Sequence, residues 1–156
     1  LENVIIGLAK HHGFKNFVTG GAQGFDQLVF WAVNNAKNHN KDLEINNICI
    51  IPFKGQERRW ATTGLFSIRE YNLMLGQADK VVYLEDHSKD FKQIVRYLDN
   101  RNKAMLDLSR TVLGLKDVLT WTGKGGTANC LRDAKTKGLE IITINLKGEI
   151  RYENWL

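Results

Sequence analysis

The distribution of apolar and polar positions along the chain predicts short strands that alternate with helices. Runs rich in β-branched and aromatic residues predict strands at 17–19, 45–51, 80–84, 118–121 and 141–144. Apolar residues at helical spacing predict helices that start near residues 4, 26, 68, 101 and 128, with a short helical turn at 91–98. This alternation favours a Rossmann-like, three-layer α/β sandwich with a mostly parallel central sheet and helices on both faces.

Glycine and proline positions predict where several elements end. Gly13 and Gly138 are expected to end the first and last helices, and Pro52 to close the second strand. The segment 111–116 has no clear assignment, and 148–152 is expected to add an antiparallel strand at the sheet edge. Without repeats, low-complexity segments or a linker, the chain is predicted to form one domain over residues 1–156.

A glycine-rich turn at 123–126 separates a predicted strand from the last predicted helix. Such a junction points unpaired backbone N–H groups and the positive end of the helix dipole at one place. Gly125 and Gly126 leave room there for an anion, Lys124 adds charge, Thr127 can cap the helix or donate its hydroxyl, and Asn129 adds an amide. This pattern is typical of a phosphate site, although a flexible turn into a helix explains it equally well.

A second junction of the same kind follows the first predicted strand. Residues 20–26 read Gly-Gly-Ala-Gln-Gly-Phe-Asp and lead into a helical pattern. Asp26 is predicted to cap that helix in preference to contacting a ligand. Since the carboxyl ends of parallel strands share one edge of a sheet, the two glycine loops are expected to meet in one site that suits a diphosphate.

The charge balance narrows the range of partners only slightly. The 156 residues include 22 Lys and Arg against 17 Asp and Glu, a net charge of +5 that favours an anionic partner. The basic residues are dispersed through helical segments rather than gathered in a run, so nucleic-acid binding is allowed but not indicated.

The two cysteines, Cys49 and Cys130, have neither metal-ligand spacing nor companions, which predicts reduced thiols in a cytoplasmic protein without a metal or a cofactor. No apolar run approaches membrane-spanning length and no secretory signal is present. The chain has no initiator Met and begins within a helical pattern, which suggests a fragment or a start that is not included.

Four ordered strings in the chain resemble the SLOG superfamily, a Rossmann-like group that includes the DprA and LOG proteins. They are residues 18–26, residues 51–57, the segment 97–107 around Arg101-Asn102, and residues 123–129. Their order is similar to that of the YspA/YoqJ-like branch. In that branch a strand ending in Thr-Gly-His-Arg normally precedes what is here the first helix, so the resemblance implies that a first strand is missing.

The resemblance implies a nucleotide-derived ligand, such as an ADP-ribose-type signal, and a homodimer or higher homo-oligomer. Carried over residue by residue, it implies ligand contacts at Gly20, Gly21, Ala22, Gly24, Asp26, Phe53, Gln56, Arg101, Asn102, Lys124, Gly125, Gly126, Thr127 and Asn129. Arg101 could give a bidentate phosphate contact, and Phe53 or Trp60 could stack on a base, although core packing explains either aromatic equally well. Trp31 or Trp155 could serve a subunit interface, with core or tail packing as the alternative.

LOG members hydrolyse the N-glycosidic bond of nucleoside monophosphates with a glutamate soon after their Gly-Gly-x-Gly-Thr loop. Here Cys130 stands in the place of that glutamate. The resemblance therefore implies a binder that senses or sequesters its ligand, for example a phage protein that removes a host immune messenger. The alternative is a phosphoribohydrolase whose carboxylate comes from Asp26, Glu57 or Asp107. Single-stranded nucleic-acid binding of the DprA type ranks third.

Overall fold

The structure, a computed structural model, describes residues 1–86, 90–117 and 121–153. The chain divides into two compact units, Leu1–Arg101 and Asn102–Leu156. Each unit contains a three-stranded sheet with helices packed on it. The mixed, Rossmann-like α/β class predicted from the sequence is confirmed, and that the chain is a single domain stays a prediction.

The first unit alternates helices and parallel strands. Its elements are α1 (Glu2–His12), β1 (Asn16–Thr19), α2 (Phe25–His39), β2 (Asn46–Phe53), α3 (Ile68–Gln77), β3 (Lys80–Glu85) and the greater part of α4 (Phe91–Asp107). The strands lie in the order β1-β2-β3 and all run parallel. Helix α2 packs against β1 and β2 and also contacts α1 and α3. The carboxyl ends of the three strands therefore share one edge, from which the loops to α2 and α3 start.

The core of the first unit forms where α2 and α3 meet the middle strand. Phe30 of α2, Ile51 of β2, and Tyr71 and Met74 of α3 pack together with at most 1% of their surfaces exposed. These residues come from the apolar stripes and the β-branched run that the sequence pattern indicated. Trp31 stacks edge-on against Phe30, with ring centroids 5.4 Å apart.

The second unit contains the end of α4 and four further elements. They are β4 (Thr111–Leu115), α5 (Gly126–Thr136), β5 (Glu140–Ile144) and β6 (Ile150–Glu153). β4 and β5 are parallel, and β6 pairs with β5 in the antiparallel direction, as predicted for the tail. Helix α5 packs on β4 and β5. Leu106, Leu131, Ala134 and Ile141 form the core of this unit.

The strand that precedes α5 differs from the prediction. It runs from Thr111 to Leu115, in the segment that the pattern left unassigned. Of the predicted strand 118–121, residues 118–120 lie outside the described residues, and Trp121 is not in a strand. Gly114 explains why 111–115 suits this position, because Leu131 of α5 packs where a side chain on Gly114 would be, with Cδ2 3.0 Å from an ideal Cβ.

Two other boundaries also differ. The short turn at 91–98 and the helix from 101 are one continuous helix, α4, since no proline or glycine interrupts residues 91–107. Strand β2 continues through Pro52 to Phe53 rather than closing at the proline. Gly13 ends α1 in the left-handed conformation, as predicted. Within the described residues, no helix has the length and apolar character needed to cross a membrane.

Candidate functional site

The first glycine loop connects β1 to α2 at the carboxyl edge of the parallel sheet. Gly20 and Gly21 are buried, and Gly24 precedes the first residue of the helix with φ 89°. Gly21 has φ 67°, and a Cβ on it would lie 2.7 Å from Ile51 Cδ1. Gly21 is therefore needed both for its left-handed backbone and for its lack of a side chain.

Arg101 of α4 lies directly against Gly20. A Cβ on Gly20 would lie 2.7 Å from Arg101 Cδ and closer still to Cζ and Nη1. Nη1 donates a hydrogen bond to Asp26 Oδ2 over 3.1 Å. Only 7% of Arg101 is exposed, and its Nε is buried without a hydrogen-bond partner among the described residues. The structure thus brings together three residues from the first loop, the start of α2 and α4.

The side chain of Asp26 is hydrogen-bonded to the loop and does not cap the helix, so the predicted capping role is wrong. Helix α2 begins at Phe25 after Gly24, and no side chain accepts a capping bond there. The Asp26 carboxylate instead accepts hydrogen bonds from the backbone N–H of Ala22, over 3.1 Å, and from Arg101. One carboxylate therefore fixes both the loop backbone and the guanidinium beside it.

The segment between β2 and α3 is hydrogen-bonded to the same loop. Gln56 Nε2 donates to the hydroxyl of Tyr71 over 3.0 Å and to the carbonyl of Gly21 over 3.5 Å. Gln23 Nε2 donates to the carbonyl of Phe66 over 2.8 Å. Burial raises the pKa of the Tyr71 phenol above its ordinary range, so the group stays protonated. Gln56, predicted from sequence, is thus placed at the loop.

The two aromatic residues considered for base stacking pack against protein side chains. Phe53 is 7% exposed and lies tilted against Tyr97, with ring centroids 6.0 Å apart. Trp60 meets Tyr71 edge-on at 5.2 Å and borders the core of the first unit. The geometry of both agrees with the core-packing alternative.

The second glycine loop lies in the other unit and is exposed. Helix α5 begins at Gly126, after Gly125 with φ 94°, and Cβ atoms on either glycine would meet nothing within 4 Å. Lys124 and Thr127 are exposed, and no side chain caps the helix. The start of α5 is therefore exposed, which an anion site would require, and anion binding there stays a prediction.

Arg132 is a residue of this loop that sequence reasoning missed. Its Nη1 donates to the carbonyl of Gly123 over 2.7 Å, and its Nη2 donates to Asn129 Oδ1. Asn129 is therefore occupied by Arg132 rather than open to a ligand through that oxygen. The spacing of three residues along a helix was the signal that could have revealed the pair. Asn102, also predicted, is half-buried on α4 in this unit.

The predicted ligand contacts therefore fall into two groups. The first unit brings Gly20, Gly21, Ala22, Asp26, Gln56 and Arg101 together around one loop, with Gly24 at the start of α2 and Phe53 in the core. The second unit holds Asn102, Lys124, Gly125, Gly126, Thr127 and Asn129. Trp155 lies outside the described residues.

Comparison with known proteins agrees with the motifs. The chain matches the model of the YspA SLOG family over residues 1–147. It is 33% identical over 128 residues to the uncharacterized SPbeta prophage-derived protein YoqJ of Bacillus subtilis (strain 168), a match that covers 76% of this chain and 68% of that protein. The family match extends over all four motifs, including the loops at 20–24 and 123–126. The chain therefore belongs to the YspA SLOG family.

Proposed function

We propose that this protein binds a nucleotide-derived ligand of the ADP-ribose type and holds it without hydrolysis. Membership of the SLOG family supports a nucleotide-related ligand-binding or LOG-like role in general. The observation that carries the proposal further is Arg101, a buried guanidinium at the first glycine loop whose Nε has no partner among the described residues.

A buried arginine that uses only part of its donors calls for an anion. Asp26 engages Nη1, which leaves the edge formed by Nε and Nη2, the edge that matches two oxygens of a phosphate. Leaving a buried donor unpaired costs about 1–3 kcal/mol, which a bound phosphate oxygen would recover. This supports a phosphate-bearing ligand in preference to a neutral one.

The surroundings of Arg101 suit the approach of such a ligand. The guanidinium lies directly against the backbone of Gly20, so an oxygen bound to its remaining edge would lie close to the loop. Gln56 Nε2 donates to the Gly21 carbonyl and to the Tyr71 hydroxyl, which holds the loop in place beside the guanidinium. These contacts support binding by a built pocket wall rather than by net positive charge.

Two of the three carboxylates considered for hydrolysis, Asp26 and Asp107, are paired with cations. Asp26 is paired with Arg101, and Asp107 is paired with Lys137 over 2.6 Å. Cys130 stands where the LOG enzymes carry their glutamate. A binder that sequesters its ligand is therefore the better proposal, and the prophage origin of YoqJ supports a phage protein that removes a host signal.

A LOG-type hydrolase remains the second candidate because Asp26 lies at the loop itself, 3.1 Å from Arg101 Nη1. A carboxylate in that place could stabilise an oxocarbenium-like centre. The two candidates differ in whether the ligand survives.

Isothermal titration calorimetry with ADP-ribose and AMP, followed by chromatography of the mixture, tests the proposal. Arg101→Lys keeps a charge for Asp26 but removes the two-donor edge, so affinity should fall about tenfold or more. The control Arg96→Gln removes an exposed arginine from the same helix and should bind as the wild type does. Intact ligand supports the binder. Release of base that stops in Asp26→Asn would establish the hydrolase instead, and no binding by the folded protein would refute both.

A further inference from the structure

We propose that a pocket in the second unit is a binding site for a nucleobase that stacks on Trp121. The polar groups of the pocket make adenine the preferred base. The inference rests on the proposed function for the class of ligand alone, since the residues that line the pocket all belong to this unit. The pocket has a volume of about 190 Å³. Pockets for drug-sized ligands measure about 300–1,000 Å³, so this one suits a single ring system rather than a whole dinucleotide.

The sheet of this unit builds the floor of the pocket. Gly114, Thr143 and Arg151 lie in register across β4, β5 and β6 and therefore point to the same face. Helix α5 covers this face at Gly114 through Leu131. The pocket opens beside the helix, over Thr143 and the edge strand, where Thr143 is 4% exposed and Arg151 is exposed.

Trp121 forms a wall that is already fixed in place. Its backbone N–H donates to the carbonyl of Asp117 over 2.8 Å, and its ring packs against the core of the unit. Lys116 Nζ lies over the face of the ring, 5.3 Å from its centroid, so a base that stacks on this face has to displace the ammonium, whose ion pair with Glu153 is long, at 3.9 Å. An aromatic ring held in this way loses little freedom when a base stacks on it, and such stacking tolerates any base.

The polar groups of the pocket include hydrogen-bond acceptors and hydrogen-bond donors, and recognition of the edge of a base needs both. Asn145 uses its amide to hold Glu149 Oε2 over 2.6 Å and its oxygen to accept from the turn amides of Lys147 and Glu149. Glu149 is thereby fixed at the rim, where its carboxylate can accept from an exocyclic amino group. Arg151 and the hydroxyl of Thr143 can donate to ring nitrogens.

This combination favours adenine over bases without an amino group. Adenine presents its N6 amino donor next to an acceptor nitrogen, which matches a carboxylate beside a donor. Hypoxanthine has the same ring size but presents a carbonyl oxygen where adenine has the amino group. The hypoxanthine oxygen would then face the Glu149 carboxylate, acceptor against acceptor, and its N1–H would face a donor instead of an acceptor.

The pocket also adjoins the second glycine loop. Trp121 Nε1 lies 4.0 Å from the place of a Cβ on Gly123, so the wall of the pocket continues into the loop that starts α5. A base in the pocket would have its sugar next to backbone amides. The sequence does not reveal that Trp121 lies close to Gly123 in this way, because Trp121 there looks like the end of an apolar run.

Calorimetric titration of the folded protein with adenosine, inosine and ribose 5-phosphate tests the inference. Adenosine is expected to bind saturably and about tenfold more tightly than inosine. Trp121→Leu should weaken adenosine binding about tenfold or more, whereas Trp121→Phe, which keeps a stacking ring, should restore most of it. Glu149→Gln should reduce the preference for adenosine over inosine, and the control Glu85→Gln, an exposed glutamate of β3, should change neither.

The outcomes separate this inference from the proposed function. If ADP-ribose binding depends on Arg101 while adenosine fails to bind, or binds equally in Trp121→Leu, the nucleobase pocket is wrong and the proposed function stands. If adenosine binds through Trp121 while Arg101→Lys leaves ADP-ribose affinity unchanged, the pocket stands and the Arg101 site is wrong. Equal binding of adenosine and inosine overturns the assignment of the polar edge. Melting curves of both Trp121 variants establish that the protein compared is folded.

Discussion

Arg101 occupies the space that any side chain on Gly20 would need. A Cβ at residue 20 would lie 2.7 Å from Arg101 Cδ, with the guanidinium nearer still, although 81 positions separate the two residues in the chain. The backbone of Gly20 does not have a positive φ. The requirement for glycine therefore comes from the arginine and not from the conformation of the loop.

Gly20→Ala should displace Arg101 from Asp26 without changing any charge. We expect ADP-ribose affinity to fall as it does in Arg101→Lys, and the free energy of unfolding to drop by about 1–3 kcal/mol through overpacking. Urea denaturation and calorimetric titration measure the two effects. Gly76→Ala in α3 is the control, because its added Cβ would meet nothing within 4 Å and it lies outside the loop. Binding by Gly20→Ala at the wild-type affinity would contradict the role of Arg101.

Two other glycines should respond to alanine in opposite directions. Gly7 lies inside α1 with open space around it, so Gly7→Ala should raise the free energy of unfolding by about 0.5–1 kcal/mol. Gly21→Ala should lower it by about 1–3 kcal/mol, since φ is 67° and Ile51 would be 2.7 Å away. Urea midpoints of the two variants test this, and a stabilised Gly21→Ala would show that the loop conformation differs.

Asp79 should make stability depend on pH. Burial pushes the pKa of its carboxyl up, but the backbone N–H of Asn47, at 2.7 Å, and the ammonium of Lys37 together hold it below the ordinary value of 3.8. A lowered folded-state pKa contributes stability above the unfolded-state pKa, and this contribution is lost as the pH falls through the folded-state value. Asp79→Asn should therefore cost about 1 kcal/mol at pH 7 and progressively less below pH 3.8.

Urea denaturation of the wild type and Asp79→Asn at pH 7, 5 and 3 measures that difference. The exposed Asp99→Asn serves as the matched control on a helix and should show no comparable change. A difference in unfolding free energy that grows as the solution becomes acidic would contradict the ion pair with Lys37.

The Cys49 thiol should be unreactive in the native protein. Burial raises its pKa to about 11, the hydrogen bond with Thr19 opposes the rise, and the charge of Asp26 adds to it. Because the thiolate is the nucleophile, a disulfide reagent at pH 8 should titrate Cys130, which is partly exposed, well before Cys49. Both should react in guanidinium chloride. Rapid modification of Cys49 in the folded chain would show that β2 is not covered as the structure indicates.

The sequence predicted those parts of the fold that depend on local periodicity. The stripes of α1, α2 and α3 and the β-branched composition of β2 placed these elements within a few residues, because each pattern reflects burial of one face. The same reasoning put a strand at 118–121 and left 111–116 open. Gly114 looks like a break in a strand, and only the packing of Leu131 against it explains why it belongs there.

The candidate site was predicted in its loops but not in its contacts. Glycine clusters between a strand and a helix are visible in one dimension. The resemblance to the SLOG superfamily singled out Arg101, whose role as a phosphate ligand stays a prediction. The contacts of Asp26 with Ala22 and Arg101 could not be predicted from the sequence. An aspartate that caps a helix and one that hydrogen-bonds to the preceding loop occupy similar positions in the chain and differ only in three dimensions. The contact of Arg132 and the proposed role of Trp121 were missed because they depend on a loop carbonyl and on a pocket lined by β5, β6 and the loops beside them.

The pairing of Arg101 with Asp26 has a consequence for how the proposed site selects among anions. A cation balanced by a carboxylate at 3.1 Å produces little field beyond contact distance, so it does not draw in passing anions by long-range attraction. Discrimination then depends on whether an incoming group fits the remaining edge of the guanidinium. Inorganic phosphate and nucleic-acid backbones, which are abundant in any cell, would gain no kinetic advantage at such a site, and association with the proper ligand should depend weakly on ionic strength.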